Sequence, residues 1–295
     1  MTTRRSFIRA GAGLAAIIAS GRAPAAFIRS MIAARNGFAA GGGGKLDYVM
    51  DGLICRFSGK DNGGLGVHNA SISKWVNLGS LGAAYNATRT SAAPCTADGI
   101  VLTNDLPFQV PSSVWGQMRG EWTVEVLFAP DTANYVNYHG LFGDHRQASG
   151  TYPGLVGGQY EDGLYVMFIW AGSVGDICGT KVYSSSVPVG AKTSMTFSVS
   201  QSRVISAGYL NGKRLTSSSA EVAYTLALTS SKAQYVNVSR RSSLYPFCIG
   251  AAFAESYDVR AFRGTMHDLR IYNRCITDEE VAQNYQADKS EYLIV

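Results

Sequence analysis

The sequence predicts an all-β sandwich or barrel closed by one short helix. Three observations predict it: apolar runs with period-two alternation recur from residue 52 onward, the stretches between them are rich in Gly and Ser, and only residues 277–289 look helical. Strict alternation puts one face of a strand inward and the other outward. With 46% hydrophobic residues the chain of 295 residues can build a sizeable core, and its 33 glycines suit tight turns.

The strand-like runs are "GLICRF" (52–57), "EWTVEVLFAP" (121–130), "GLYVMFIWAG" (163–172), "TSMTFSVS" (193–200), "YPFCIGAAF" (245–253) and "FRGTMHDLRIYN" (262–273). In "VISAGYLNGKRLTSS" (204–218), Asn211-Gly212 between extended flanks predicts a tight hairpin, because both residues accept a positive φ. In the last strand Leu269 and Ile271 share a face and are expected between the sheets. Thr277 and Glu280 have capping-box spacing, and Ile276 and Val281 stand where a hydrophobic staple would form. Asp278, Glu279 and Glu280 suit the positive end of the helix dipole. So short a helix needs tertiary support, and it is expected as a lid on a sheet edge or end.

Charge is unevenly placed. The net charge is +5, yet residues 1–46 hold Arg4, Arg5, Arg9, Arg22, Arg29, Arg35 and Lys45 and no acid, which leaves 19 basic against 21 acidic residues for the rest. The folded part is mildly acidic, so no nucleic-acid partner is implied. The opening "TRRSFIRAGAGLAAIIASGRAPA" resembles a twin-arginine export signal, with small residues around Pro24 for cleavage. Its apolar stretch is too short to span a bilayer. The expected organisation is a signal peptide at 1–26, a Gly-rich linker at 27–46 and one domain at 47–295. Cys55, Cys95, Cys178, Cys248 and Cys275 lack a C-x-x-C pair and are expected mostly as buried free thiols.

The segment "AFRGTMHDLRIYNRCITDEEVAQNY" (261–285) resembles the end of LamG-like, concanavalin A-like jelly-roll domains, through Phe262, Gly264, Met266, Asp268, Leu269, Arg270, Ile271, Tyr272, Asn273 and Arg274, then Ile276, Thr277, Glu279, Glu280 and Val281. "GYLNGKRL", "EWTVEVLFAPD" and "DGLICRFSGKD" are similar to other segments of that family, so the resemblance covers residues 51 to 285. It implies a two-sheet antiparallel jelly-roll β-sandwich. It says little of function, since the family includes lectins, glycan-binding modules, adhesion domains and glucanase relatives. Some members hold calcium, and the resemblance makes Asp51, Asp61 and Asp268 the candidate ligands.

No catalytic constellation stands out. Glu121 and Glu125 would share a strand face about 13 Å apart, too far for a retaining carboxylate pair, and both are expected to point outward. His139 and His145 flank Asp144 without metal-ligand spacing. His267 stands where the resembling family often has an acid. A binding surface remains: aromatic rings stack on sugar C–H faces while polar groups bond hydroxyls. Residues 135–172 are rich in such groups, and Asp144, His145, Arg146, Tyr160, Tyr165 and Trp170 are the candidate ligand contacts. The leading expectation is an exported, non-catalytic carbohydrate-binding or adhesion protein with a glycan or glycoprotein partner, not membrane-spanning. The alternatives are a glycoside hydrolase or lyase with an unrecognised site, and a structural surface or virion assembly protein.

Overall fold

The computed structural model describes residues 47–103, 106–118, 120–131, 139–143, 154–160, 164–170, 177–182, 187–199, 205–215, 223–225, 246–251 and 261–294. By contact density the chain divides into Met1–Gly44 and Lys45–Val295, and all the described strands belong to the second unit. In chain order they are β1 (Leu53–Ser58), β2 (Ser71–Trp75), β3 (Ala87–Thr96), β4 (Gly99–Thr103), β5 (Phe108–Val110), β6 (Trp122–Pro130), β7 (His139–Gly143) and β8 (Gly154–Tyr160). Next come β9 (Leu164–Trp170), β10 (Ile177–Val182), β11 (Thr193–Val199), β12 (Ile205–Leu210), β13 (Lys213–Arg214), β14 (Ala223–Thr225), β15 (Phe247–Ile249) and β16 (Arg263–Tyr272). One helix, α1 (Asp278–Tyr292), comes after them.

The strands form two antiparallel sheets. The first runs β13-β12-β11-β6-β16, and the far side of β16 is shared by β1, at residues 268–272, and β4, at residues 263–266. The second runs β2-β3-β5-β15-β7-β8-β9-β10-β14. β3 links them: Thr88 pairs with Gln109 of β5, while Cys95 and Thr96 pair with Ile100 and Gly99 of β4. This is the sandwich that the alternating pattern predicts.

The core lies between the sheets. From the first sheet it takes Val124, Val126 and Phe128 of β6, Met195, Phe197 and Val199 of β11, and Met266, Leu269 and Ile271 of β16, all fully buried. A bulge between Met266 and Asp268 shifts the alternation, so that Met266 and Leu269 both reach the core. From the second sheet Phe142 meets Phe197 edge-on at 6.3 Å and stacks on Phe247 at 5.8 Å. A Cβ on Gly157, in neighbouring β8, would stand 2.2 Å from the Phe142 ring, so only glycine lets that ring lie flat against the sheet. At the other end Trp75 of β2 packs on Phe57 of β1 and donates to the Ser58 carbonyl at 2.9 Å.

The local signals appear where expected. Asn211 and Gly212 have φ of 49° and 75°, the paired positive values of a tight hairpin turn between β12 and β13. The Thr277 hydroxyl accepts from Glu280 N while the Glu280 carboxylate accepts from Thr277 N, a complete capping box. Ile276 and Val281 are buried together with Val49, Leu53, Tyr209 and Tyr272. Cys55 and Cys248 are buried and Cys95 and Cys275 half-buried, all four as free thiols; the Cys178 side chain lies outside the described ones.

Two expectations change. The helix runs three residues further than predicted, to Tyr292, and does not guard an edge or end. It lies across the outer face of the first sheet, bonded to Ser58 of β1, Glu125 of β6 and Asp268 and Arg270 of β16. Glu125 is therefore not outward and solvated but 1% exposed, because its strand face is covered by α1. Alternation assigns the face correctly, and the helix makes that face an interior.

Candidate functional site

The outer face of the first sheet carries polar side chains at alternate positions: Arg56 and Ser58 of β1, Glu125 of β6, Thr196 of β11, and Asp268 and Arg270 of β16. An isolated sheet would show these to water. Here α1 closes over them with Asn284, Asp288 and Tyr292, and a polar layer is sealed between helix and sheet.

Arg270 is its hub. Nε donates to Glu125 Oε2 at 2.9 Å, while Nη1 and Nη2 donate to the two oxygens of Asp288 at 2.7 Å each, the fork geometry that favours a carboxylate. Asp268 Oδ1 lies 3.6 Å from Nη1. Arg56 is the second cation, donating to Asp268 Oδ2 from Nε at 3.1 Å and Nη2 at 3.0 Å, and reaching Glu291 at 3.4 Å. The Tyr48 ring lies 4.0 Å from one guanidinium carbon and 4.6 Å from the other, and its hydroxyl donates to Asp288 Oδ1 at 2.9 Å. Asn284 donates to Glu125 Oε2 at 2.7 Å and to the Tyr272 hydroxyl at 2.9 Å, and accepts from Val49 N. The Tyr292 hydroxyl sits within 3.0 Å of Ser58 Oγ, the His267 carbonyl and Asp268 Oδ2.

Burial governs the charge states. It pushes Glu125 up to about 7 against the opposing pull of Arg270. It also raises Asp288, with Arg270 again opposing. Desolvation alone would strip charge from Arg270, but Asp288 and Glu125 more than offset it and hold the guanidinium above its ordinary value. Alongside, His267 Nδ1 lies 3.0 Å from the Asp98 carbonyl, and burial holds its imidazole below the ordinary value. Lys192 bridges Asp98 to the end of the helix, at 2.5 Å from Oδ2 and 2.7 Å from the Tyr292 carbonyl. Glu125 and Asp288 are thus a carboxylate pair bridged by one guanidinium. Both are at most 1% exposed, so a substrate reaches them only by displacing α1.

The candidate calcium ligands do not gather. Asp51 is exposed before the start of β1, 3.2 Å from Arg274, whereas Asp268 pairs with Ser58 at the end of β1, a strand about 16 Å long. Asp61 accepts from Gly66 N within its own turn. Asp268 already serves Arg56 and Tyr292. Among the described residues no three His, Cys, Asp or Glu side chains cluster as a metal site.

Of the candidate ligand contacts, Asp144, His145 and Arg146 lie outside the described residues. Tyr160, Tyr165 and Trp170 occupy β8 and β9 of the second sheet. The register pairs Tyr160 with Leu164, Gln159 with Tyr165, Gly157 with Met167 and Gly154 with Trp170. Alternation therefore puts positions 160 and 170 on one face and position 165 on the other, the face that carries Gly157 and its contact with Phe142.

The buried network is not among the sequence expectations. Its signal is faint but present: isolated charges at Glu125 and Arg270 inside apolar strands, and a helix whose inward face carries Asn284, Asp288 and Tyr292.

No family model matches the sequence, and no curated protein does. Among solved structures, a Trypanosoma rangeli sialidase in complex with sialic acid matches with a TM-score of 0.52 at 13% identity, over 83% of this chain and 34% of that one. The same sialidase with the inhibitor DANA matches at 0.50 and 12%, over 82% and 33%. The CBM40 of a Ruminococcus gnavus IT-sialidase bound to alpha2,3 sialyllactose gives 0.49 and 10%, over 63% and 94%. What is shared with the sialidase is the fold. The chain spans about a third of the length of the sialidases it matches. The expectation of a non-catalytic binding or adhesion protein is corrected by this comparison, in which chains of a sialidase enzyme match by fold. Among the described residues, no helix is long and apolar enough to cross a membrane.

Proposed function

We propose that the protein acts on glycans in the manner of a glycoside hydrolase, engaging the sugar chain across the second sheet and its rim. The observation that carries the reading is the difference between the sheets. The outer face of the first is sealed by α1, with its charged groups committed to one another. In the second, positions 160 and 170 share the face turned away from Phe142, where aromatic residues can stack on sugar rings. Asp144, His145 and Arg146, the acid and hydrogen-bonding candidates, follow directly on β7 in the sequence, and β7 pairs with β8. The likeness to sialidases is a fold likeness that points to the same substrate class. The LamG-like kinship of residues 51 to 285 belongs to the same reading.

Incubation with sialylated and neutral oligosaccharides, with released sugar and calorimetric binding both measured, tests it. The expected result is turnover of at least one glycan, weakened about 5- to 13-fold in Trp170→Ala, where a stacking contact of about 1–1.5 kcal/mol goes. A folded protein that cleaves no glycan in the panel, whether or not it binds one, would end the reading. Export through the twin-arginine leader belongs to the same proposal and rests on Arg4 and Arg5. Changing both to Lys is expected to leave the folded protein inside the cell, as fractionation would read, and unaltered export would remove it.

A further inference from the structure

The contact between α1 and the first sheet is polar. The helix buries Val281, Asn284, Ala287, Asp288 and Tyr292, of which only Val281 and Ala287 are aliphatic. A helix usually docks by an apolar stripe whose strength does not depend on pH. This one docks by charge and hydrogen bonds, so its attachment depends on the charge state beneath it.

That charge does not balance if every group is ionised. Glu125, Asp268 and Asp288 are buried, and the cations set among them are Arg56 and Arg270. Glu291, at the rim, shares Arg56, and its backbone carbonyl accepts from Lys60. Three buried carboxylates face two guanidiniums, and one proton would restore neutrality.

Hydrogen-bond geometry says where that proton fits. Asp288 receives the Arg270 fork on both oxygens, so even Oδ1, which also accepts from the Tyr48 hydroxyl, has a cation's donor to lose if protonated. Asp268 Oδ2 receives two bonds from Arg56 and lies 2.9 Å from the Tyr292 hydroxyl, while its Oδ1 has no hydrogen-bond partner and faces Arg270 Nη1 at 3.6 Å, a cation that can accept no proton. Glu125 Oε2 receives Arg270 Nε and Asn284 Nδ2, and neither group can accept a proton. Glu125 Oε1 differs: its partner at 3.1 Å is the Thr196 hydroxyl, which accepts as readily as it donates. A proton on Oε1 therefore displaces no bond, because the hydroxyl simply turns round.

We propose that Glu125 carries a proton on Oε1 while α1 is docked, and that losing it places a third negative charge under the helix and loosens it. The helix is then a strap over the sheet that holds in mildly acidic conditions and slackens above neutrality. The groups facing Glu125 are Arg270 and Tyr272 of β16, Thr196 of β11, and Asn284 and Asp288 of α1, with Tyr48 one bond further at Asp288. The elevation of Glu125 by burial, to about 7, agrees with this placement. A folded state that keeps a proton the unfolded chain has already released loses stability as pH rises, here from the ordinary carboxylate range to about 7.

The test is Glu125→Gln in the full chain, which fixes the neutral form at nearly constant shape. Thermal melts at roughly pH 5.5, 7 and 8.5 are read beside hydrogen exchange of the amides of residues 281–292. The wild type should melt lower, and exchange in the helix several-fold faster than the variant, at the highest pH, while the variant keeps a flatter melting profile. A variant less stable than wild type at every pH, with the slope unchanged, would show Glu125 ionised and overturn the proposal. If the variant does not fold, infrared spectroscopy of wild type labelled at glutamate decides: a protonated-carboxyl band near pH 6 that disappears above neutrality supports it, and no such band overturns it.

Discussion

Arg270→Met should lose about 3–5 kcal/mol of stability, the largest effect of any single substitution on the outer face of the first sheet. The side chain is 1% exposed and donates to three carboxylate oxygens: Glu125 Oε2 and both oxygens of Asp288. Removing it leaves those acids facing each other in a space closed to water, with Asp268 alongside. Arg56 cannot take over, because it is already held by Asp268 and Glu291. Arg270→Lys should recover little, since one ammonium cannot reproduce a fork that spans two carboxylates. Urea unfolding near pH 7 checks both variants. The loss should shrink in acid, where protonated carboxyls no longer need the cation. An Arg270→Met protein as stable as wild type at pH 7 would mean that α1 does not seal this layer.

Trp75→Ala should cost about 3–5 kcal/mol by a different route. The indole is fully buried, with Phe57 at 5.8 Å and Phe108 edge-on at 5.7 Å. It ties β2, beside β3 in the second sheet, to β1 of the first, since its Nε1 donates to the Ser58 carbonyl at 2.9 Å. Truncation opens a cavity between the sheets and deprives that buried carbonyl of its donor. The destabilisation should be nearly independent of pH, unlike that of Arg270→Met. Melts of the two variants across pH separate an apolar loss from an electrostatic one. A Trp75→Ala loss below about 1 kcal/mol would indicate that the core collapses around the gap.

How much of this is legible in the sequence depends on what each signal measures. Alternation reports which positions share a face, and Leu269 and Ile271 lie between the sheets as it predicts. Asn211-Gly212 and the Thr277–Glu280 pair are local devices whose geometry lies in a few consecutive residues, and both appear as predicted. What covers a face is not local. Glu125 reads as outward because nothing near it in sequence names Asn284, 159 positions away, as its partner. Asp268 reads as a candidate calcium ligand for the same reason, since its partner Arg56 lies 212 positions away. The helix reads as a lid on an edge or end because it is short and strand edges need cover, and only its pairing with charges on the strands shows that it docks on a face. For the candidate glycan site, spacing along β9 alone puts Tyr165 and Trp170 on opposite faces, while placing Tyr160 with Trp170 needs the pairing of β8 to β9.

The position of β16 has a consequence for how the chain must be made. It is the strand between β6 and β1, so neither can complete its pairing until residues 263–272 have been synthesised. Glu125 meets Arg270 across 145 positions, and Tyr48 meets Asp288 across 240. Until residues 263–272 emerge, a growing chain holds the β16-facing edges of β1 and β6, and the carboxylate of Glu125, without those partners. Contacts this distant make closure slow and leave unpaired strand edges open to other chains. Closure of the first sheet therefore waits for β16, and a chain stopped before residue 263 is expected to leave β1, β4 and β6 without that partner while the local pairings β7-β8-β9-β10 and β11-β12 can already form.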